Sequence, residues 1–366
     1  MTSSSPILFF LLLIGFVVFL VNRLFESGTF STTKNFNVES CQVIGNFAGP
    51  EDIQYDSEND ILFISSKYWG KSNKETTENT GIFILDLKTK DAKPKLVSND
   101  APINFKPHGI HLYKDSKTGE KSLFVVNDLH PPTVEVFDVI DNETIKHRET
   151  FSNPNFISLN EVVGVGKRSF YVSQDSKYFH NKLLLFFATL FGFEKGTLFY
   201  YDGSNWKSMI NDIHFVNGLA LSPDKKTLYL GETNKLGMRI YERNIENGNL
   251  KFKEFIHLKA GPDNINTDPQ GNLWVAGFPN LLATLKHLKD KNTRSPVNII
   301  KITMDGNKVA EIEKVLTSSG ENISGITTAE FYKDQLFFIS GLMNSELRLC
   351  NLPKDIQIIY LENVDL

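Results

Sequence analysis

Several features that would place this chain in a common class are missing from it. No G-x-S-x-G motif occurs, and Ser318-Ser319-Gly320 lacks the pattern, which excludes a serine hydrolase of the nucleophile-elbow kind. No cluster of basic residues interleaved with aromatics occurs, and the formal net charge is -4, so nucleic acid is not an expected partner. Helical periodicity is scarce in most of the 366 residues, which disfavours a parallel βαβ fold.

Charge is absent from an apolar run near the N-terminus, from Pro6 to Val21. A cleaved signal peptide usually has a basic region before the run and a small-residue cleavage site after it, and neither is obvious here. The pattern therefore favours an uncleaved signal anchor over a cleaved signal, although the run is slightly short of a typical span of about twenty residues. We predict an anchor and linker over residues 1–26 and one domain over residues 27–366. The domain would be luminal or extracellular, on a membrane-anchored or secreted protein.

Cysteine is scarce as well, since only Cys41 and Cys350 occur. Two interpretations are open: two buried free thiols, or a disulfide that closes the whole domain, which suits a chain with a secretory segment. The sequons at Asn142 and Asn322 are candidate glycosylation sites and agree with a luminal or extracellular domain. Such tripeptides also arise by chance.

What the sequence does contain is a repeat. A polar residue, a short strand, a polar turn and a second hydrophobic strand recur in six copies, which begin at Glu51, His108, Asn160, Asn217, Asp263 and Thr327. The copies are 57, 52, 57, 46 and 64 residues apart, and each has room for a four-stranded antiparallel sheet. Such a period is typical of propeller blades, which stack radially to bury their faces. The sequence thus predicts an all-β, six-bladed β-propeller.

One segment, 181–193, departs from the strand pattern because it is strongly apolar. It is too short to span a bilayer. It is either a buried helix or outer strand, or an apolar helix at the channel mouth that lies on a membrane or guides apolar molecules.

The residues that open the copies are mostly polar. Because the innermost strand of every blade lines the central channel, we expect these side chains to converge there: Glu51, Asp52, His108, Asn160, Asn217, Asp263 and Asn264. Buried polar groups need one another, water or an ion as partners. A set of carboxylates and amides offers the hard oxygen ligands that calcium prefers and zinc does not. The alternative is that they only join neighbouring blades, as in binding propellers.

The motifs resemble those of the paraoxonase/arylesterase family, in the same order and at similar separations from Cys41 to Cys350. They are Gly49-Pro50-Glu51-Asp52, Phe105-Lys106-Pro107-His108-Gly109-Ile110, Leu159-Asn160-Glu161, 216–224, and Asp263-Asn264-Ile265 with Leu273-Trp274-Val275. The resemblance implies hydrolysis of lactones and aryl esters with two calcium ions, and a disulfide between the two cysteines. The N-terminal apolar segment of this chain and its apolar insertion at 181–193 are similar to features with which the family attaches to lipid.

By this resemblance, the catalytic calcium is held by Glu51, Asn160, Asn217, Asp263 and Asn264. A second, structural calcium is held by Asp52, the main-chain carbonyl of Ile110, and Glu161, where the family usually has Asp. His108 is the expected base that takes a proton from water. The family pairs this His with a second one, but here the aligned residue is Asp128, and His130 follows two residues later, so either residue is a candidate to orient His108.

Two other functions remain open from the sequence alone. One is a calcium-dependent propeller enzyme of the gluconolactonase or strictosidine-synthase-like type, which shares the blades and part of the metal site. The other is a membrane-anchored propeller that binds a partner and has no catalytic activity. Another departure, Phe278 where the family tends to have His, leaves the preferred substrate open.

Overall fold

The chain folds into six antiparallel sheets arranged as a propeller, as the repeat predicts. These features are seen in a computed structural model, which describes residues 5–69, 79–193, 195–333, 335–354 and 357–358. The helices are α1 (Ser5–Glu26), α2 (Lys182–Phe191) and α3 (Leu281–His287), with short 3-10 turns at Val38–Ser40 and Thr233–Lys235.

The strands in chain order are β1 (Gln42–Asn46), β2 (Pro50–Asp56), β3 (Ile61–Ser66), β4 (Gly81–Asp86), β5 (Lys95–Leu96), β6 (Pro107–Lys114), β7 (Lys121–Asn127), β8 (Thr133–Asp141), β9 (Thr144–Phe151), β10 (Leu159–Gly166), β11 (Ser169–Gln174), β12 (Gly196–Tyr201), β13 (Trp206–Ile213), β14 (Val216–Leu221), β15 (Thr227–Glu232), β16 (Gly237–Arg243), β17 (Leu250–His257), β18 (Gly261–Thr267), β19 (Leu273–Phe278), β20 (Val297–Asp305), β21 (Lys308–Ser318), β22 (Thr328–Phe331), β23 (Leu336–Ser340), β24 (Glu346–Asn351) and β25 (Gln357–Ile358).

Each blade runs outward from an inner strand. Blades 1 to 5 take β2–β5, β6–β9, β10–β13, β14–β17 and β18–β21 in chain order, and β25 extends blade 5 at its outer edge. Neighbouring inner strands contact one another all the way round, and β2 contacts β22, so the ring is closed. The six inner strands therefore surround one channel.

The second strands carry continuous apolar runs because both of their faces are covered by neighbouring blades. Ile61, Leu62, Phe63 and Ile64 in β3 are all fully buried. The cores lie between blades, and one such core joins Phe63 of blade 1 to Leu123 of blade 2. A blade on its own would expose both apolar faces to water. Each blade is therefore stabilised by packing against its neighbours in the ring.

The last blade is completed by the beginning of the domain. Blade 6 contains β22, β23 and β24, and β1 is its outermost strand, with Gln42 opposite Leu349. Cys41 precedes β1 and forms a disulfide with Cys350 in β24, across 309 residues. The prediction of an end-to-end disulfide is confirmed, and two free thiols are ruled out.

The apolar insertion forms a helix on the surface, so its interpretation as a buried helix or outer strand is wrong. In α2 the side chains of Leu183 and Phe186 are 68% and 60% exposed. The Asn181 side chain accepts a hydrogen bond from the Leu184 amide and caps the helix. Both sequon asparagines, Asn142 and Asn322, are also exposed.

We predict that breaking the disulfide destabilises the ring. Closing a loop of 309 residues restricts the unfolded chain by about 5–6 kcal/mol in the chain-entropy description. The Cys41→Ser/Cys350→Ser protein should therefore melt at a lower temperature, by roughly 5–10 °C, in differential scanning calorimetry of the full chain in detergent. An unchanged melting temperature would contradict the role given to this bond, and Ser40→Ala provides a control beside it.

Candidate metal centre and active site

The predicted site residues lie where the inner strands begin. Five of the six inner strands change register within their first residues, which is the signature of a β-bulge. A bulge bends its strand and re-aims side chains. The predicted polar residues fall at these five bulges: Glu51 and Asp52, His108, Asn160 and Glu161, Asn217, and Asp263 and Asn264. The structure thus brings them together at one end of the channel.

Two glycines allow adjacent inner strands to approach closely at this end. A Cβ on Gly109 would lie 2.5 Å from the Asn160 carbonyl oxygen, and a Cβ on Gly218 would lie 2.3 Å from the Asp263 carbonyl oxygen. No side chain fits at such separations. The glycines that follow His108 and Asn217 are therefore required for the convergence of the polar groups.

Four buried oxygen atoms at this end have no hydrogen-bond partner among the described residues. They are Glu51 Oε2 and the Oδ1 atoms of Asn160, Asn217 and Asn264. Asn264 Nδ2 donates to Glu51 Oε1 at 3.0 Å, so each of these two residues uses one polar atom in that contact and leaves one oxygen unpaired. A buried polar atom without a partner costs about 1–3 kcal/mol. This arrangement therefore needs a bound group to which several oxygen atoms can coordinate.

The buried carboxyl groups at this end also need a bound partner. Burial raises the pKa of Glu51, and the neighbouring Asp52 and Asp263 carboxylates raise it further. Burial likewise raises the pKa of Asp263 to about 8, against a hydrogen bond from Asn217. A divalent cation among these groups would offset the repulsion and keep both carboxylates ionised.

The donor chemistry fits calcium. Within the described part of the chain, no three His, Cys, Asp or Glu side chains come together as a metal cluster, so a site here needs the asparagine oxygens. Two carboxylates with three amides form an all-oxygen set, which calcium binds in flexible geometry. Zinc would require nitrogen or sulfur ligands, so the residues present fit calcium and not zinc.

The second predicted group lies next to the first but has its oxygens engaged. Asp52 Oδ2 accepts from the Ile110 amide at 2.9 Å, and Asp52 Oδ1 accepts from Thr328 Oγ1 at 3.0 Å. Glu161 Oε1 accepts from the Val162 amide at 2.7 Å. Burial raises the pKa of Asp52 to about 7, and burial with the Asp52 charge raises that of Glu161. Among the predicted ligands, the oxygens without a partner in the described part of the chain belong to the first group.

His108 lies beside the first group. Its Nε2 is 3.7 Å from Glu51 Oε1, and its Nδ1 is buried with no partner among the described residues. Burial lowers the pKa of His108 well below its usual value, and the positive charge of Lys67 lowers it further. The imidazole is therefore neutral and has a nitrogen available for a proton.

Asp128 and His130 do not pair with His108. Asp128 Oδ2 is 2.5 Å from the Lys67 ammonium, and the His130 ring packs against the His180 ring at 4.4 Å. The aromatic ring that contacts His108 is Trp69, edge to face at 4.9 Å. The position where the resemblance implies a second His is thus occupied here by one half of a Lys67–Asp128 ion pair.

Sequence reasoning missed Lys67, Trp69 and Asp175. Asp175 Oδ2 accepts from Ser158 Oγ, its Oδ1 is buried without a partner, and burial raises its pKa to about 7. All three follow the second strand of a blade, which ends beside the start of the inner strand. That position was the available signal, since Lys67, Asp128 and Asp175 each follow the last residue of a second strand, and Trp69 lies two residues after Lys67.

The helices gather at this same end, because α2 and α3 also follow second strands, β11 and β19. Arg23 of α1 donates to the Leu190 and Thr189 carbonyls at the C-terminal end of α2, at 3.0 and 2.8 Å. The Phe19 and Phe191 rings stack at 5.6 Å. The exposed apolar side chains of α2 and α3, together with Leu288 directly after α3, are here called the apolar rim: Leu183, Leu184, Phe186, Phe187, Phe191, Leu282, Leu285 and Leu288.

Solved structures similar to this chain share its fold. A luciferin-regenerating enzyme superposes with a TM-score of 0.53 at 13% identity, covering 88% of this chain and 97% of the enzyme. A putative gluconolactonase gives a TM-score of 0.52 at 14% identity, covering 88% and 94%. At such identities the likeness concerns the propeller alone.

Sequence comparison identifies the family. Serum paraoxonase/arylesterase 2 of Gallus gallus is 31% identical over 311 residues, which is 81% of this chain and 85% of the relative. Serum paraoxonase/arylesterase 1 of Homo sapiens is 28% identical over 311 residues, with the same coverage. Serum paraoxonase/lactonase 3 of Oryctolagus cuniculus is 28% identical over 307 residues, again 81% and 85%. The Arylesterase family model matches residues 33–352. With the propeller, the disulfide and the converging oxygens in place, this chain belongs to the arylesterase family.

Proposed function

We propose that this protein is a calcium-dependent hydrolase of lactones and aryl esters. The ion at which hydrolysis takes place would be held by Glu51, Asn160, Asn217, Asp263 and Asn264. The observation that carries the proposal is that four of these five side chains have a buried oxygen with no partner among the residues that the structure describes. Support comes from the relatives, whose names include arylesterase and lactonase.

Calcium bound at this centre would polarise the substrate carbonyl and stabilise the oxyanion that forms on it. His108 Nδ1 accepts the proton of the attacking water, because the imidazole is neutral and this atom has no other partner. As the bond from the carbonyl carbon to the leaving oxygen breaks, that proton passes to the leaving oxygen. The Glu51 carboxylate lies 3.7 Å from Nε2, so its negative charge stabilises the His108 ring while the ring carries the proton.

A second, structural calcium would be held by Asp52, Glu161 and the Ile110 carbonyl. The support is electrostatic: the pKa of each of the two acids is raised by burial, and Glu161 is raised further by the Asp52 charge. A cation between Asp52 and Glu161 would attract both carboxylates and so offset the repulsion between them. The longer Glu161 arm reaches the group in place of the family's usual Asp.

The protein would work at a lipid surface within the secretory pathway or outside the cell. Helix α1 is long and apolar enough to cross a membrane, and none of its residues from Ile7 to Glu26 is buried in the protein. It is joined to α2 by Arg23 and Phe19, so the apolar rim lies close to the same membrane. The disulfide and the two exposed sequons fit that environment.

Removing one ligand should remove activity together with calcium. We expect Asp263→Ala to weaken calcium binding by about 100-fold or more, measured by isothermal titration calorimetry, because it deletes one of two carboxylates. Hydrolysis of phenyl acetate and of an aliphatic lactone should then be lost, as it should in the wild-type protein with excess EDTA. Glu242→Ala, which removes an exposed carboxylate on blade 4, is the control and should change neither.

Full hydrolysis in excess EDTA would contradict the calcium-dependent mechanism. A protein that binds calcium yet hydrolyses nothing in a broad panel of lactones and esters would instead be a binding propeller.

The base can be tested apart from the metal. His108→Gln should lower kcat by about 10²–10⁴, since it removes the proton acceptor, while calcium affinity stays unchanged because His108 is not a ligand. Stopped-flow kinetics and calorimetry on the same sample separate the two effects. A kcat close to that of the wild-type protein would show that another group takes the proton.

Contact of the apolar rim with lipid can be measured in nanodiscs that contain the full chain. Phe186→Trp should be quenched by lipids brominated on their acyl chains, because this side chain points away from the propeller on α2. Ile140→Trp is a matched control, since Ile140 is 59% exposed near the end of β8. Equal quenching at both positions would contradict a lipid-facing rim.

A further inference from the structure

Within the described part of the chain, one of the three tryptophans has an indole N–H without a hydrogen-bond partner. Trp206 Nε1 donates to the Ser152 carbonyl at 3.1 Å, and Trp274 Nε1 donates to Asp268 Oδ2 at 3.2 Å. Trp69 Nε1 is buried and has no partner among the described residues. Buried indole N–H groups normally find an acceptor, so this one needs a partner that the described part of the protein does not supply.

The unpaired N–H lies at the active site. A Cβ on Gly49 would lie 2.6 Å from Trp69 Cδ1, the carbon bonded to Nε1, so the indole edge occupies the space that this glycine leaves open. Gly49 is two residues before Glu51. The Trp69 ring also meets the His108 ring at 4.9 Å and 73°. Two buried unpaired nitrogens, Trp69 Nε1 and His108 Nδ1, are thus carried by rings in contact.

The ring is fixed in place by a cation. Lys67 Nζ is 3.7 Å from the Trp69 ring centroid, and Asp128 holds this ammonium at 2.5 Å. A cation on the face of an indole is attracted to the ring electrons and draws density from them. The N–H is therefore a stronger hydrogen-bond donor than an ordinary indole N–H.

We propose that Trp69 Nε1–H donates a hydrogen bond to the alkoxy oxygen of the bound substrate, and that this contact selects aliphatic lactones over aryl esters. The inference rests on the proposed hydrolase function. Water attacks the carbonyl carbon, the bond to the alkoxy oxygen breaks, and that oxygen leaves with the electron pair and receives the proton held by His108. The indole keeps its own proton throughout and only stabilises the charge on the leaving oxygen.

The preference follows from the leaving groups. An aliphatic alkoxide is much more basic than a phenoxide and concentrates its charge on one oxygen, whereas a phenoxide spreads the charge over its ring. A donor aimed at the leaving oxygen therefore lowers the barrier more for an aliphatic lactone than for phenyl acetate.

The test replaces the N–H and keeps the ring. In the full-length protein, Trp69 is replaced by 3-benzothienylalanine, which has sulfur in place of N–H, and in a second variant by Phe. For both variants we expect kcat/KM for an aliphatic δ-lactone to fall by about tenfold or more, which is about 1.4 kcal/mol. For phenyl acetate the fall should be less than about threefold. Trp206→Phe, which removes a paired N–H in blade 3, is the control and should change both substrates equally or neither.

A binding measurement gives a second readout. A δ-lactam, whose amide bond is far less reactive than an ester bond, should bind the wild-type protein no more tightly than the benzothienyl protein, because its ring N–H cannot accept a hydrogen bond from the indole. The δ-thionolactone, which keeps the alkoxy oxygen, should bind the benzothienyl protein more weakly. Equal losses for lactone and phenyl acetate, or no loss for either, would overturn the assignment. A wild-type protein that hydrolyses neither substrate would contradict the proposed function, and the thionolactone affinities would then decide the N–H contact alone.

Discussion

Four side-chain oxygens from four different blades meet at one end of the channel, buried and without a hydrogen-bond partner among the described residues. Such a group is unfavourable unless something binds it, and the rest of the structure serves to hold it together. The bulges turn the side chains inward, and Gly109 and Gly218 let adjacent strands come close. The closed ring keeps each blade in its place.

Closure of that ring depends on two distant parts of the chain. Strand β1 completes blade 6, and the Cys41–Cys350 disulfide joins it to β24. Blade 6 lies between blades 1 and 5, which carry Glu51, Asp263 and Asn264. Thr327, just before β22, donates to the Glu51 carbonyl at 2.7 Å, so blade 6 contacts the candidate metal centre directly. Closure of the ring through blade 6 therefore also helps to position Glu51 in the site.

A second group of side chains around the oxygens determines the electrostatic surroundings of His108. Lys67 is buried between Asp128 and the Trp69 ring, and its positive charge lowers the pKa of His108. The family resemblance implies a second His in this position. Here the Lys67–Asp128 ion pair and the Trp69 indole lie beside the neutral His108 instead.

Much of this could be predicted from the sequence because it repeats. The six inner strands, and the convergence of residues such as Asn160 and Asn217, follow from the period and from the geometry of any propeller. The assignment of those oxygens to calcium depended on the family resemblance. The partner of Asp128 could not be predicted, because Lys67 is 61 residues away and its approach depends on how blades 1 and 2 pack.

For segment 181–193 the sequence left two interpretations open, a buried element and an exposed apolar helix, and could not decide between them. An apolar run of that length fits a buried element as well as a surface one, since composition does not reveal which faces find a partner. The contact from Arg23 to the end of α2 joins segments 166 residues apart, and no local pattern indicates it.

The central claim is that the unpaired oxygens hold the calcium on which hydrolysis depends. Crystals grown at a calcium concentration that sustains hydrolysis, with diffraction measured for anomalous scattering, test it most directly. We predict an anomalous peak within about 2.3–2.6 Å of Glu51 Oε2 and of the amide oxygens of Asn160, Asn217 and Asn264. Ordered water at these oxygens, with no metal in an enzyme that is active under the same conditions, would contradict the account.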